Sequence, residues 1–600
     1  MRRGTPRRSE QNQLLDEEIG KIPEQLRRIY QDAMSYAQDQ LESDSANYYS
    51  SKSAIAHVLS LLRAERRDLF VVISYAFAIG LLSLVVPICV QSIVNTVAFG
   101  SLYQPVIVLT LLVLLLVGLS GALSLVQVWV VELLQCRLFV RVALGLAQRI
   151  PRFQASVFRK EVPQDLINRF FEVVIVQKLV SKIVLEGIAV ILQAGIGLLI
   201  LSFYHPFLLV FVLLLGLSLV IICGVLGVGA VSTAMKESSA KHTVLIWLEN
   251  VAENSFLFKS GQGRAFAMER ADYTTYNYLK CRRKHFRIVY RQMVGFVLLQ
   301  TLASAALLGL GGYLVILEQL TLGQLVAAEL IVAGVLMSFN KLGRLLESYY
   351  DMVASISKLD SLIELPTEAA VGDDLVTQDK PMPVILRDVV AGFEGGRQPV
   401  LRGASIEIPS GAKVAIYGEN GSGKSLIADL LVRFHLPDEG TVILGNQHLA
   451  DLNPMSIREQ VKMVRGLEVF RGTIEENLTL GMTGIPRKDL REVLDGVGLR
   501  EEIEELSNGL ETWLREDARP LSSGQAHRLV LARALILKPR LLILDEILDS
   551  IDKRVMEQYV LPTLLSSSAP WTLLVMTHDE ELAKKFSKSF VLDSGLIRKA

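Results

Sequence analysis

Six mostly apolar stretches, at about 69–95, 105–133, 184–203, 206–230, 292–316 and 322–340, fill much of the first part of this 600-residue chain. A bilayer offers backbone amides no water, so an apolar segment of roughly 20 residues crosses it as a helix whose amide bonds are made internally. The stretches come in three pairs. Within each pair the connection is short and carries little positive charge: 98–104, 204–206 and 318–321. Between the pairs lie long hydrophilic stretches, 134–183 and 231–291, rich in Arg and Lys. Basic loops stay on the cytoplasmic side. Arg63, Arg66 and Arg67, both long loops and everything after the sixth stretch therefore fall on one side, and all six spans agree with that orientation. The loops also repeat apolar residues at helical spacing: Leu144, Leu146 and Ile150, then Leu166, Phe170 and Val174, then Leu245, Leu248 and Val251. The spans are expected to run on as helices beyond the membrane. The alternative, two inserted soluble subdomains, lacks strand and turn punctuation.

Composition agrees with a membrane half joined to a soluble half: 51% of residues are hydrophobic and the mean hydropathy is +0.38. The 62 basic and 62 acidic residues cancel, which gives no footprint for nucleic acid. Cys89, Cys136, Cys223 and Cys281 form neither a C-x-x-C pair nor a metal spacing and read as small packing residues. The basic start is followed by polar sequence, not by a signal peptide's short apolar run. Residues 1–64 form an N-terminal extension with an apolar helical stripe (Leu14, Leu15, Ile19, Ile22, Leu26, Ile29), packed on the protein or lying on the membrane surface.

The membrane domain is assigned to residues 65–365, and a linker containing Pro366, Pro381 and Pro383 to 366–383. From Val384 to the end of the chain, residues 384–600, short β-branched runs alternate with turns and helical stretches. The run 413–417 leads directly into Gly418, Glu419, Asn420, Gly421, Ser422, Gly423, Lys424 and Ser425, which fits G-x-x-x-x-G-K-[ST], and a helical stretch follows. Strand, glycine loop and helix in that order make a phosphate loop. Its amides curl round phosphates, Lys424 reaches the terminal phosphates and the Ser425 hydroxyl binds Mg²⁺. The fold class is thus an α-helical transmembrane domain fused to an α/β P-loop NTPase cassette.

Two further segments carry chemistry. The apolar run 541–544 suits a buried parallel strand and delivers Asp545 and Glu546 to its C-terminal edge. Asp545 is a candidate to hold Mg²⁺, directly or through water, opposite Ser425. Glu546 is the candidate to orient and deprotonate the attacking water. Leu521, Ser522, Ser523, Gly524 and Gln525 precede a helical stretch, and a serine with backbone amides at a helix N-terminus makes an anion site. That is a second phosphate site in a chain that already has one.

With these motifs in this order, the sequence resembles the ATP-binding cassette (ABC) family, and specifically its exporters with a fused membrane domain, over about residues 65–600. The resemblance implies a half-transporter with six spans and one cassette, binding ATP and Mg²⁺ and pairing with a second half-transporter. The signature 521–525 would close over ATP held by the partner. It also implies that Phe393 stacks on adenine, that His578 contacts the γ-phosphate and that Asp552 couples the two sites. Segments at about 155–175 and 235–256 would be coupling elements. One position departs. Where the family pattern has a glutamine that helps bind Mg²⁺ and senses the membrane domain, this chain has Arg465. A guanidinium donates but does not accept, so it cannot ligate a cation. It is left to approach phosphate oxygens or to lie in solvent. The other change, Ser523 for a signature glycine, is small.

The resulting expectation is ATP hydrolysis coupled to export of a peptide or protein, a lipid or a hydrophobic small molecule, with alternating access. The texture of residues 321–330 is nearest to peptide- and protein-secreting exporters, without the peptidase domain that subclass often carries. The protein is expected to be multi-pass in a bacterial cell membrane, with cassette and N-terminus cytoplasmic. Few ionisable residues lie in the spans, which argues against an ion pump. The second reading, prompted by Arg465, is an ATP-binding regulatory or gating subunit with little hydrolysis. A guanine-specific site is disfavoured because no Asn-Lys-x-Asp follows the glycine loop.

Overall fold

A computed structural model describes residues 66–99, 103–160, 163–363, 365–369, 371–376, 380–392 and 398–599. The N-terminal extension and its apolar stripe lie outside these residues, as does Phe393. Two compact units meet in sequence between Pro366 and Thr367.

The first unit holds six helical spans long and apolar enough to cross a membrane: Arg66–Val97, Tyr103–Arg152, Leu166–Ser202, Pro206–Glu253, Gly261–Ile316 and Leu322–Leu359. The apolar stretches read from the sequence lie within them, apart from Phe203 at the end of the third. Their extra length is polar: Tyr103–Arg149 is a 47-residue helix and Gly261–Ile316 a 56-residue one. At 1.5 Å per residue these reach about 70 and 84 Å, far beyond a hydrocarbon core about 30 Å thick. The two basic stretches are therefore helical continuations, not inserted subdomains.

Burial ranks the spans within this unit. None of the most apolar window of Tyr103–Arg152 is buried, so that span faces outward, whereas half of the corresponding window of Leu322–Leu359 is buried. The sixth span is the hub: Val332, Val335 and Leu336 pack with Leu201, Leu208, Leu307 and Leu314 from the third, fourth and fifth. Polar pins fix the register. The Tyr204 hydroxyl donates to Gln91 Oε1 (2.7 Å), and the Gly323 amide donates to Asn95 Oδ1 (3.2 Å). A Cβ at Gly323 would lie 2.4 Å from that same oxygen, so only glycine allows the approach. Farther along, Lys358 Nζ and Ser355 Oγ both donate to the Glu172 carboxylate, at 2.8 and 2.6 Å, tying Phe171–Lys182 to Leu322–Ile363.

The second unit is built on two main sheets. Strands β1 (Val384–Ala391), β2 (Leu401–Ile408), β4 (Glu439–Leu444) and β5 (Gln447–His448) form an antiparallel sheet in the order β2-β1-β4-β5. The central sheet has six strands, in the order β12-β11-β3-β10-β9-β6. These are β3 (Lys413–Tyr417), β6 (Val461–Arg465), β9 (Leu541–Asp545), β10 (Thr572–Thr577), β11 (Lys588–Asp593) and β12 (Leu596–Lys599). All pairings in it are parallel except that of β12. A ribbon of β7 (Gly472–Thr473) and β8 (Trp513–Leu514) completes the strands.

Side chains alternate across a pleated strand, and here the alternation feeds two separate cores. Leu541 and Ile543 of β9, Leu574 and Met576 of β10 and Val414 and Ile416 of β3 pack on one face with Leu426, Ile427 and Leu430 of helix Lys424–Leu431. Leu542, Leu544, Leu573, Val575 and Ala415 face the other way, onto Ala526, Leu529 and Val530 of helix Ser523–Ile536. The segment assigned as linker joins the first of these cores through Leu375 and Met382.

Candidate nucleotide site

Four neighbouring parallel strands end together, and the candidate residues stand at that edge. The register pairs Arg465 with Asp545, Asp545 with Met576, and Thr577 with Tyr417. The next residues along are Gly418, Glu546 and His578. Ligands of open α/β sheets bind at this edge.

After Tyr417 the chain turns through the glycine loop into Lys424–Leu431. Gly423 caps that helix at φ 110°, in the left-handed region that favours glycine. A Cβ on Gly418 would lie 2.4 Å from the Leu592 carbonyl oxygen of β11. Lys424, 3% exposed, donates from Nζ to the carbonyls of Gly418 (2.8 Å) and Glu419 (3.0 Å) and lies 3.5 Å from Glu546 Oε1. The loop thus folds over its own lysine, which stands between the glycine loop and Glu546. Ser422 Oγ is buried without a hydrogen-bond partner among the described residues. Glu546 has φ 57° and a side chain 44% exposed, a strained backbone setting for an accessible carboxylate.

Arg465 does not lie free in solvent. Its Nη1 donates to Asp429 Oδ1 at 2.8 Å, its Nη2 to the Ser425 carbonyl at 2.9 Å, and its Nε to Asp545 Oδ2. Burial pulls the guanidinium pKa down, but the Asp429 and Asp545 carboxylates outweigh it and leave the pKa raised. Both carboxylates are almost fully buried. Asp545 Oδ1 is buried with no hydrogen-bond partner among the described residues. Asp429 was not singled out by its motif. Its signal is spacing, since it lies four residues after Ser425 and thus on the same helical face.

His578 is 60% exposed, with Nδ1 2.8 Å from Asp549 Oδ2. The Thr577 hydroxyl donates to Asp549 Oδ1 at 2.6 Å. The buried Asp549 thereby orients the ring from below. It is a second residue that motif reading passed over. Asp552 is exposed and caps a short helix, accepting from the amides of Arg554 (2.9 Å) and Val555 (3.2 Å). At the signature, Ser522 and Gln525 form a reciprocal capping box that opens Ser523–Ile536. Gln525 Nε2 donates to Glu502 at 2.6 Å, and Glu502 also accepts from Arg528 at 2.8 Å. The helix tip is therefore rigidly braced, with Ser522 and Ser523 exposed.

The family described as ABC transporter matches residues 401–549. An ATP-dependent lipid A-core flippase of Vibrio parahaemolyticus serotype O3:K6 (strain RIMD 2210633) is 28% identical over 455 residues, 74% of this chain and 76% of that protein. The toxin RTX-I translocation ATP-binding protein of Actinobacillus pleuropneumoniae is 27% identical over 304 residues, 50% of this chain but only 43% of its own length. Among solved structures, a bacterial Atm1-family ABC exporter with ATP bound superposes with a TM-score of 0.79 at 20% identity, covering 89% of this chain and 94% of its own. At that identity the likeness is one of fold.

Proposed function

Residues 401–549 belong to the ABC transporter family, and from a chain that carries this ATPase domain with six membrane-crossing helices we propose one half of an ATP-driven exporter. Two copies, or this chain and a related one, would sandwich ATP between the phosphate loop of one cassette and the signature helix of the other. The observation that carries the reading is the placement of the glycine-loop helix and the signature helix. Lys424–Leu431 and Ser523–Ile536 pack on opposite faces of one sheet, which favours the signature serving a neighbour's nucleotide.

Each residue then has a task. The glycine-loop amides, Ser422 and Lys424 hold the phosphates, and Lys424 exchanges its bonds to the loop carbonyls for phosphate oxygens. Glu546, exposed beside Lys424, takes the proton of the attacking water. His578, held by Asp549, reaches the γ-phosphate, and Asp552 links the paired sites. Phe393 would stack on adenine. The Ser425 hydroxyl and the orphan Asp545 Oδ1 fit a divalent cation; bound there, Mg²⁺ would neutralise phosphate charge. Closing the cassettes would switch the membrane cavity, with the cassettes on the cytoplasmic side of a bacterial inner membrane. The relatives' names put lipid and protein toxin among cargoes to test, beside peptides and hydrophobic small molecules.

ATPase measurement in reconstituted protein tests the reading. Glu546→Gln is expected to lower turnover by about 10²-fold or more, the scale of a lost general base. One observation favours the alternative of a gating subunit, namely the Arg465 guanidinium on Asp545. Equal, very low rates in wild type and mutant would decide for that alternative.

A further inference from the structure

Resting on the ATP reading above, we propose that Arg465 is a resident counter-ion that makes nucleotide capture at this site nearly independent of Mg²⁺ and weakens metal binding there.

Opposite charges crowd together at this sheet edge. Asp429, Asp545 and Glu546 bring three carboxylates; Lys424 and Arg465 bring two cations. Arg465 is held by three bonds to three residues, a carboxylate on the helix, a carboxylate on β9 and the carbonyl of Ser425, the same residue whose hydroxyl is the candidate metal ligand. Such charge-assisted bonds fix a planar guanidinium in one orientation. It sits where a divalent ion would otherwise be asked to neutralise Asp545, and it takes one of that carboxylate's two oxygens. Only Oδ1 is left. A metal arriving at Oδ1 meets a carboxylate already neutralised by a permanent positive charge, and like charges at close range repel. With glutamine at 465 the same edge would lose one cation while keeping its carboxylates, and incoming phosphates would need a divalent ion. Arg465 removes that requirement in advance.

Binding of the fluorescent nucleotide mant-ATP to the purified full-length protein in lipid nanodiscs tests this, in EDTA and in millimolar MgCl₂. For the wild type the dissociation constant should change less than about threefold between the two buffers; for Arg465→Gln it should tighten at least tenfold on adding Mg²⁺. A Mn²⁺ paramagnetic-resonance titration of the nucleotide complex should show metal bound at least tenfold more weakly by wild type than by Arg465→Gln. A wild type whose mant-ATP binding tightens tenfold or more with Mg²⁺ overturns the proposal, and that measurement needs no variant to fold. Equal Mg²⁺ dependence in wild type and a folded Arg465→Gln overturns it too. Absence of mant-ATP binding in both buffers defeats the ATP reading itself, so the two failures are distinguishable.

Discussion

Asp549 is buried beneath an exposed histidine and accepts from the Thr577 hydroxyl and the His578 amide while contacting His578 Nδ1. An aspartate so placed sets the tautomer and aim of the imidazole without touching nucleotide. Asp549→Asn should therefore lower ATP turnover by up to about 10²-fold, the low end for a lost acid–base group, while mant-ATP affinity is largely kept. A parallel loss of affinity and turnover would make Asp549 a general structural support. The motif residues could be singled out because each is named by its sequence neighbours. Asp429 and Asp549 were not, because what selects them is a partner brought close by folding.

Strand β3 carries the glycine loop, and Lys413 opens it at some cost. Its ammonium donates to the Trp571 carbonyl at 2.7 Å and lies 5.4 Å from the Trp571 ring centroid, where burial lowers its pKa from 10.5 to about 8. Between those two values the unfolded chain keeps a proton that the folded strand has released. Stability from this group therefore rises with pH across that window, and the burden is fully present below about pH 8. Lys413→Met should raise the unfolding midpoint at pH 7, with a gain that shrinks towards pH 10.5 in thermal unfolding of the purified protein. A pH-independent gain would show that packing, not desolvated charge, is responsible. At this scale the hydrophobic period predicted well. Long spans and buried strands repeat their signal many times, so the six spans and the strand, loop and helix order could be read directly. The ends of the spans were harder, since polar continuations such as those of Gly261–Ile316 carry only a sparse apolar stripe.

For the whole molecule, the decisive question is whether signature and phosphate loop meet between chains. The four cysteines all lie in the first unit, which leaves the cassette clear for engineered ones. When chains bearing Ser422→Cys and chains bearing Ser523→Cys are co-expressed, ATP should produce a disulfide-linked band of twice the chain mass, strongest in a Glu546→Gln background. Cross-linking that is indifferent to ATP, or absent, would argue against nucleotide as the glue between identical chains. The sequence by itself determined the two-part architecture and the number of spans, because hydrophobic periodicity and contiguous motifs are properties of neighbours along a chain. Only the tertiary structure decided what Arg465 does. Its carboxylate partners lie 36 and 80 positions away, and a cation's role is set by the charges that folding gathers round it.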